Sequence, residues 1–248
     1  MRVKSQINID KVFVLGANSD VAKAICEELA LNGCQNFDFL VRDLKKIKIF
    51  SNYLCEKYKV NIEIEQQDLL TDFDPNYLLK IANKDYDLIL ITAGFLGDTS
   101  KAEKDINEVS KIIRINFSSI IYLLNKIINE KRIAQKGRLW VFSSVAADRG
   151  RPSNYFYGAA KAGLQIFCEG LLLKCYGKPF AIRIIKAGYI YTPMTINKIP
   201  SKFCIKPTKV AKILLRNPNK RGVEYLPWIW SIIMLIVKLL PSKIASKL

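Results

Sequence analysis

The sequence predicts a parallel, doubly wound α/β sheet flanked by helices. Three observations predict it. Strand-like apolar runs alternate with helical periodicity along most of the chain. The turns after those strands carry Gly16, Arg42, Asp68, Gly94, Ser144 and Thr192, so six separate turns converge on one edge. No repeat or low-complexity linker interrupts the alternation. In such a sheet the crossovers are right-handed, and ligands bind outside the carboxyl ends of the strands.

The elements follow in order. Lys11-Val12-Phe13-Val14-Leu15 reads as a buried strand, Gly16 to Asp20 as a turn, and Val21 to Leu31 as a helix. Asn18 or Ser19 can cap that helix. Strand, glycine turn and helix put a helix N-terminus under a pyrophosphate, although one glycine alone also fits an ordinary loop. Phe37 to Val41 is the second strand and ends in Arg42-Asp43. An arginine there can pair with a 2′-phosphate and favour NADP over NAD; a surface arginine is the alternative. Leu44 to Tyr58 is a basic amphipathic helix, and Val60 to Glu65 alternates as a third strand. Asp68 then either touches an adenine edge or caps the next turn.

Tyr86 to Ile91 is a fourth, apolar strand that opens into Thr92-Ala93-Gly94, where small residues let backbone approach a ligand. Ser100 to Ile133 carries one or two helices. Asn116 lies there among Ile112, Ile113, Ile115 and Phe117, so it is expected to be buried with its amide satisfied, either by the core or by a site. Leu139 to Phe142 is the fifth strand and Phe180 to Ile185 the sixth. After the fifth strand comes the most informative stretch, Ser143 to Gly163, with a helix that ends near Tyr176. Tyr157 and Lys161 are four apart and share a helix face. A free phenol has a pKa of about 10, and a neighbouring cation favours its ionised form. Such a pair can exchange a proton during interconversion of a carbonyl and an alcohol.

Composition bounds the chemistry. At 248 residues, half of them apolar, the chain suits one α/β domain with a sizeable core. There is no histidine, which excludes histidine bases, histidine metal ligands and serine–histidine triads. The six cysteines form no CxxC pair and read as reduced thiols of a cytoplasmic protein, with no metal site. Met1 to Asp10 is polar, with no apolar signal core. The net charge is +17, and from Ile196 onward eleven Lys or Arg face one acid, Glu224. That asymmetry points to a surface that meets anionic lipid, phosphate or nucleic acid; a solvated basic face is the alternative. Nucleic acid is disfavoured, because no basic–aromatic interleaving suited to stacking bases occurs.

The tail is separate in character. We divide the chain into a dinucleotide-binding catalytic domain, residues 1–225, and an apolar, basic tail, residues 226–248. Pro227 to Pro241 encloses an apolar run of about a dozen residues, too short to span a bilayer, which needs roughly 20. Pro227 can open a helix and Pro241 follows its end. Ser231, Lys238, Ser242 and Ser246 make a narrow polar stripe. Paired tryptophans and Lys238, Lys243 and Lys247 fit a helix that lies in a membrane interface with its lysines snorkelling. A helix packed on the core or on a second subunit is the alternative.

From Val12 to Thr195 the chain resembles a short-chain dehydrogenase/reductase, and thus the Rossmann type of doubly wound sheet. Tyr157-Gly-Ala-Ala-Lys161 matches the family's YxxxK, and Ser144 lies thirteen residues before the tyrosine. Asn116 matches its helix asparagine. Thr92-Ala93-Gly94 is similar to its Asn-Ala-Gly turn, and Ala187-Gly188 with Thr192 to its Pro-Gly…Thr segment. The departure is at the cofactor turn, where Asp20 and Ala22 stand for glycines. The resemblance implies that Tyr157 donates a proton to a carbonyl oxygen as hydride arrives from NADPH, preferred over NADH. Lys161 would lower the phenol's pKa and hold ribose hydroxyls, Ser144 would bond the carbonyl oxygen, and Asn116 would hold a relay water. Ser143 and Tyr155 fail the spacing. The implied cofactor-binding set is Gly16, Asn18, Ser19, Asp20, Val21, Arg42, Asp68, Leu69, Ala93, Gly94, Tyr157, Lys161, Ile190 and Thr192. A homo-oligomer is also implied.

A narrower resemblance is to the decaprenylphosphoryl-2-keto-erythropentose reductases. It rests on Gly16-Ala-Asn-Ser-Asp-Val, on Val41-Arg42-Asp43, on Ser143-Ser-Val-Ala with the basic segment before Asn154-Tyr-Phe-Tyr-Gly, and on the tail. It implies a keto-sugar substrate on a polyprenyl phosphate, a flavin-dependent oxidase partner, and a place on the inner face of the cytoplasmic membrane. A soluble reductase of acyl-carrier ketones or small ketones and alcohols is the alternative.

Overall fold

The computed structural model describes residues 8–196 and 199–247. Most of the polar start, Met1 to Asp10, lies outside the described residues, as does Lys198 of the basic stretch. Seven strands form one sheet: β1 (Lys11–Leu15), β2 (Asn36–Val41), β3 (Asn61–Gln66), β4 (Leu88–Ile91), β5 (Gly137–Ser144), β6 (Phe180–Ala187) and β7 (Gly222–Leu226). Their order is β3-β2-β1-β4-β5-β6-β7, and every neighbouring pair is parallel. The chain runs outward from β1 to β3, returns to lay β4 beside β1, and continues to β7. That reversal opens a crevice at the carboxyl ends of β1 and β4.

The helices are α1 (Asp20–Leu31), α2 (Leu44–Tyr58), α3 (Pro75–Ala82), α4 (Thr99–Ala102), α5 (Ile106–Ile113), α6 (Ser119–Ile127), α7 (Glu130–Ile133), α8 (Tyr155–Lys174), α9 (Pro207–Arg216), α10 (Ile229–Leu239) and α11 (Ser242–Ala245). A π-helical turn, Arg114–Ser118, joins α5 to α6. The region expected to hold one or two helices is therefore broken further. Its breaks have local causes: the side chains of Asp98, Asp105 and Asn129 each cap a new start.

Strand periodicity sorts the core into two layers. Val12, Val14, Phe37, Phe39 and Trp140 pack with Ile25, Leu29, Ile47, Leu54 and Leu214 on one face. Phe13, Leu15, Ile89, Ile91 and Val141 pack with Ile81, Ile120, Leu123 and Leu164 on the other. One expected boundary shifts and one strand is added. The fourth strand begins at Leu88 because Asp87 turns away to accept from the Asp10 and Lys11 amides at 2.8 and 3.0 Å. A seventh strand, β7, joins the six read from sequence. It carries a charge, Glu224, which pairs with buried Arg183 of β6; Arg183 also donates to the carbonyls of Leu214 and Asn217. A charged residue in a five-residue segment hid the strand.

The apolar tail is seated on the sheet. Met234 of α10 is buried, and Trp230 stands edge-on to Tyr189 with centroids 4.9 Å apart. Arg149, just after β5, donates to the Val237 and Lys238 carbonyls at 2.6 and 2.8 Å and so satisfies the helix C-terminus. Lys238, exposed at the end of α10, has its ammonium 3.6 Å from the buried carboxylate of Asp148, which also pairs with Lys186 and accepts from Tyr225. The outer face of α10 is apolar and exposed, with Leu235 60% and Leu239 77% accessible. No helix among the described residues is long and apolar enough to cross a membrane.

Candidate active site

A cleft of about 950 Å3 opens along the carboxyl ends of β1, β2, β4, β5 and β6. Its floor at β1 is backbone. Gly16 has φ 87°, and a Cβ there would lie 2.7 Å from the Ala93 nitrogen. Only glycine relieves both the conformation and the contact. Thr92, which stands where an asparagine was expected, donates to the Leu15 and Gly16 carbonyls at 3.1 and 3.0 Å. Of the two candidate caps the structure uses Ser19, whose Oγ accepts from Val21 and Ala22. Asn18 instead donates to the Asp43 carbonyl at 2.9 Å, and its buried Oδ1 has no hydrogen-bond partner among the described residues. Asp20 opens α1, where a carboxylate complements the helix dipole but opposes a bound phosphate.

The rim after β2 is cationic. Arg42 is exposed there, and Lys46 of α2 lines the same wall. Asp68 does what the blander of its two expectations required, accepting from the Leu70 amide at 3.0 Å, while it and Leu69 also line the cleft. These features fit a phosphorylated dinucleotide: a close backbone approach, a helix N-terminus, an acceptor awaiting a donor, and two rim cations.

The reactive end is built by α8 against β5. Tyr157 is buried, and Lys161 reaches past it to donate to the Phe142 carbonyl at 3.1 Å and the Ala93 carbonyl at 3.4 Å. Ser144 ends β5 on the cleft wall, its Oγ accepting from the Ala146 amide at 3.1 Å. Ser143 points elsewhere and donates to the Lys161 carbonyl at 3.3 Å. Tyr155 is at the surface, donating to Glu103 at 3.1 Å. Burial pushes the Tyr157 phenol up to about 12, while a hydrogen bond with Ser144 acts in the opposite direction. Burial draws Lys161 down to about 8. Its ammonium lies 6.0 Å from the ring centroid and is engaged by two backbone carbonyls.

Thus Gly16, Asn18, Ser19, Asp20, Val21, Arg42, Asp68, Leu69, Ala93, Gly94, Ser144, Tyr157, Lys161, Ile190 and Thr192 line one cleft. Asn116 sits beneath it, fully buried. Its Nδ2 donates to the Phe95 and Ile112 carbonyls at 2.6 and 2.9 Å, and its Oδ1 accepts from the Phe95 amide at 3.0 Å. The side chain is wholly engaged in holding the Gly94–Phe95 turn. Cleft residues with no role assigned from the sequence include Lys46, Phe95, Arg151, Asn154 and Tyr189. Arg151 and Asn154 lie in the segment after β5 that carries the narrower resemblance, and the fold alone brings in the others. A protonated phenol, a hydroxyl and an amine beside a dinucleotide-shaped groove can carry out proton transfer coupled to reduction of a carbonyl.

A family model described as short chain dehydrogenase matches residues 10–202. An uncharacterized oxidoreductase of Mycobacterium tuberculosis is 33% identical over 153 residues, 61% of this chain and 61% of that protein. The chain thus spans about three fifths of that relative's length. The 3-oxoacyl-[acyl-carrier-protein] reductase of Buchnera aphidicola (subspecies Acyrthosiphon pisum) is 26% identical over 76% of this chain and 77% of that one. Among solved structures, a short-chain dehydrogenase from Sphingobium yanoikuyae in complex with NADPH superposes with a TM-score of 0.77 at 17% identity, covering 94% of this chain and 97% of that one.

Proposed function

The chain belongs to the short chain dehydrogenase family, and from that premise we propose that it is an NADPH-dependent ketoreductase acting on a keto sugar, a 2-ketopentose carried on a polyprenyl phosphate. A nicotinamide held in the cleft would supply the hydride. Tyr157 gives its proton to the carbonyl oxygen, and its raised pKa keeps that proton in place at neutral pH. Ser144 donates to the same oxygen and orients it. Lys161 stands by to favour the phenolate once the proton has left. Arg42 and Lys46 hold the 2′-phosphate, which gives NADPH its advantage. Asn116 acts by fixing the turn at Gly94.

The observation that carries the substrate is the position of α10. Its inner face meets the cleft wall through Trp230 on Tyr189, Arg149 from the turn after β5 holds its C-terminus, and its outer face is apolar and exposed. A helix so placed brings the cleft to an anionic bilayer, with the lysines of the last fifth nearby. The protein then works on the inner face of the cytoplasmic membrane, as a homo-oligomer, on a ketone supplied by a flavin-dependent oxidase.

A reductase of acyl-carrier ketones is favoured by one specific observation, the likeness to the 3-oxoacyl-[acyl-carrier-protein] reductase. In that case the exposed face of α10 makes subunit contacts. The deciding experiment offers NADPH with a vesicle-borne polyprenyl-phosphate ketopentose and, separately, with an acetoacetyl carrier thioester. We expect turnover of the lipid-linked sugar, with Leu235→Glu and Leu239→Glu abolishing vesicle binding. Turnover of the thioester alone, with no binding to anionic vesicles, would overturn the lipid-linked assignment.

A further inference from the structure

Two arginines two residues apart meet different fates. Arg149 leaves the cleft and caps α10. Arg151 lines the cleft, and its buried Nε has no hydrogen-bond partner among the described residues. Three residues later Asn154 also lines the cleft, and its buried Oδ1 is likewise without a partner. Asn154 precedes α8, yet its side chain makes no capping bond. A buried donor and a buried acceptor left unmade are unusual and costly.

The turn that carries them is fixed rather than loose. The Asn154 amide donates to the Arg151 carbonyl at 3.1 Å, and Thr99 Oγ1 donates to the Ser153 carbonyl at 2.8 Å. Asp98, the acid on that side of the cleft, caps α4 through the Lys101 amide. Tyr157 follows on the first turn of α8, so the pair stands beside the proposed proton donor. A guanidinium calls for an anion with more than one oxygen, and an amide oxygen calls for a donor.

We infer that Arg151 and Asn154 form the substrate-anchoring subsite of the cleft and take a phosphorylated hydroxyketone, the guanidinium on the phosphate and the amide oxygen on a hydroxyl. This rests on the reductase function proposed above and assigns the residues that hold its substrate's phosphate and a hydroxyl. Phosphate contact through the guanidinium fixes the sugar, and the hydroxyl contact sets which carbon faces Tyr157.

The test uses the full chain with NADPH and two 2-ketopentoses that differ by the phosphate, ribulose 5-phosphate and ribulose. Wild type should favour the phosphorylated sugar in kcat/KM. Arg151→Gln should cut that ratio by about tenfold or more, the scale of a charge-assisted bidentate contact. Arg151→Lys should restore part of it by keeping the charge. Equal kcat/KM for the two sugars, or a ratio that Arg151→Gln does not move, overturns the subsite. If neither sugar turns over, calorimetry with ribulose 5-phosphate decides the matter: binding that is absent, or equal in wild type and Arg151→Gln, overturns it. The Tyr157→Phe variant keeps the two claims apart. Undiminished NADPH oxidation there removes the proposed proton donor and leaves the phosphate preference standing.

Discussion

The two halves of the cleft are built from different materials. The nucleotide half is backbone and small residues: Gly16 against Ala93, Thr92 across to β1, Ser19 at the start of α1. The substrate half is backed, behind its lining, by long charged side chains and a helix from the far end of the chain: Arg149 on α10, Lys186 and Lys238 on Asp148, and Trp230 over the wall residue Gly188. A Cβ on Gly188 would come 1.9 Å from the Trp230 Nε1, so the tail and the cleft wall interlock. Backbone turns are specified locally and tolerate little variation. Charged side-chain networks are specified by distant partners, and they fail as units when one partner is removed.

That contrast can be broken at its strongest point first. Lys186→Met leaves Asp148 buried beside Tyr225, with only Lys238 as a cation, and should lower unfolding stability by about 3 kcal/mol. Urea unfolding reads it, and a loss under about 1 kcal/mol would mean the network is dispensable. Tyr157→Phe, where the halves meet, should lower kcat/KM by at least about a hundredfold while NADPH still quenches the protein's fluorescence. A loss of cofactor binding of the same size would show that the phenol acts as a binding group instead.

Two smaller effects sharpen the nucleotide half. Arg42→Ala should reduce the NADPH-to-NADH preference by about tenfold, because a single phosphate contact is removed from an exposed rim. An unchanged ratio shifts that role to Lys46. The smallest effect is in pH. Lys161 titrates near 8 in the buried site, and its protonated form has three donors for ribose oxygens. Below that value the ammonium is present, and above it binding must take up a proton. NADPH affinity should therefore decline as pH rises past about 8, by no more than about tenfold per unit. Fluorescence titrations across that range check it, and a pH-independent Kd would contradict it. The same burial makes folding stability rise between about 8 and the unfolded lysine's value, where only the unfolded chain holds the proton.

The sequence shows what periodicity and fixed spacing encode. Six of the strands, the helix that carries Tyr157 and Lys161, and the apolar run of α10 all follow from residues near one another in the chain, while the choice of Ser144 over Ser143 is what the family resemblance implies. β7 stayed hidden because Glu224 reads as surface until Arg183 is placed beside it. Asn116 was legible as a buried amide, but its partners at Phe95 and Ile112 were not.

By itself, then, the sequence determined the sheet, the strand-end turns and the placing of Tyr157 and Lys161 on one helix, because each depends on spacing within a single strand or helix. Only the tertiary structure decided where the long side chains go. It sent Arg149 and Lys238 to join the tail to the turn after β5, left Arg151 and Asn154 lining the cleft with a buried polar atom each unpaired among the described residues, and drew Lys161 onto backbone carbonyls. A flexible, charged side chain takes its direction from the partner that can satisfy it, and that partner lies tens of residues away, where no local pattern reaches.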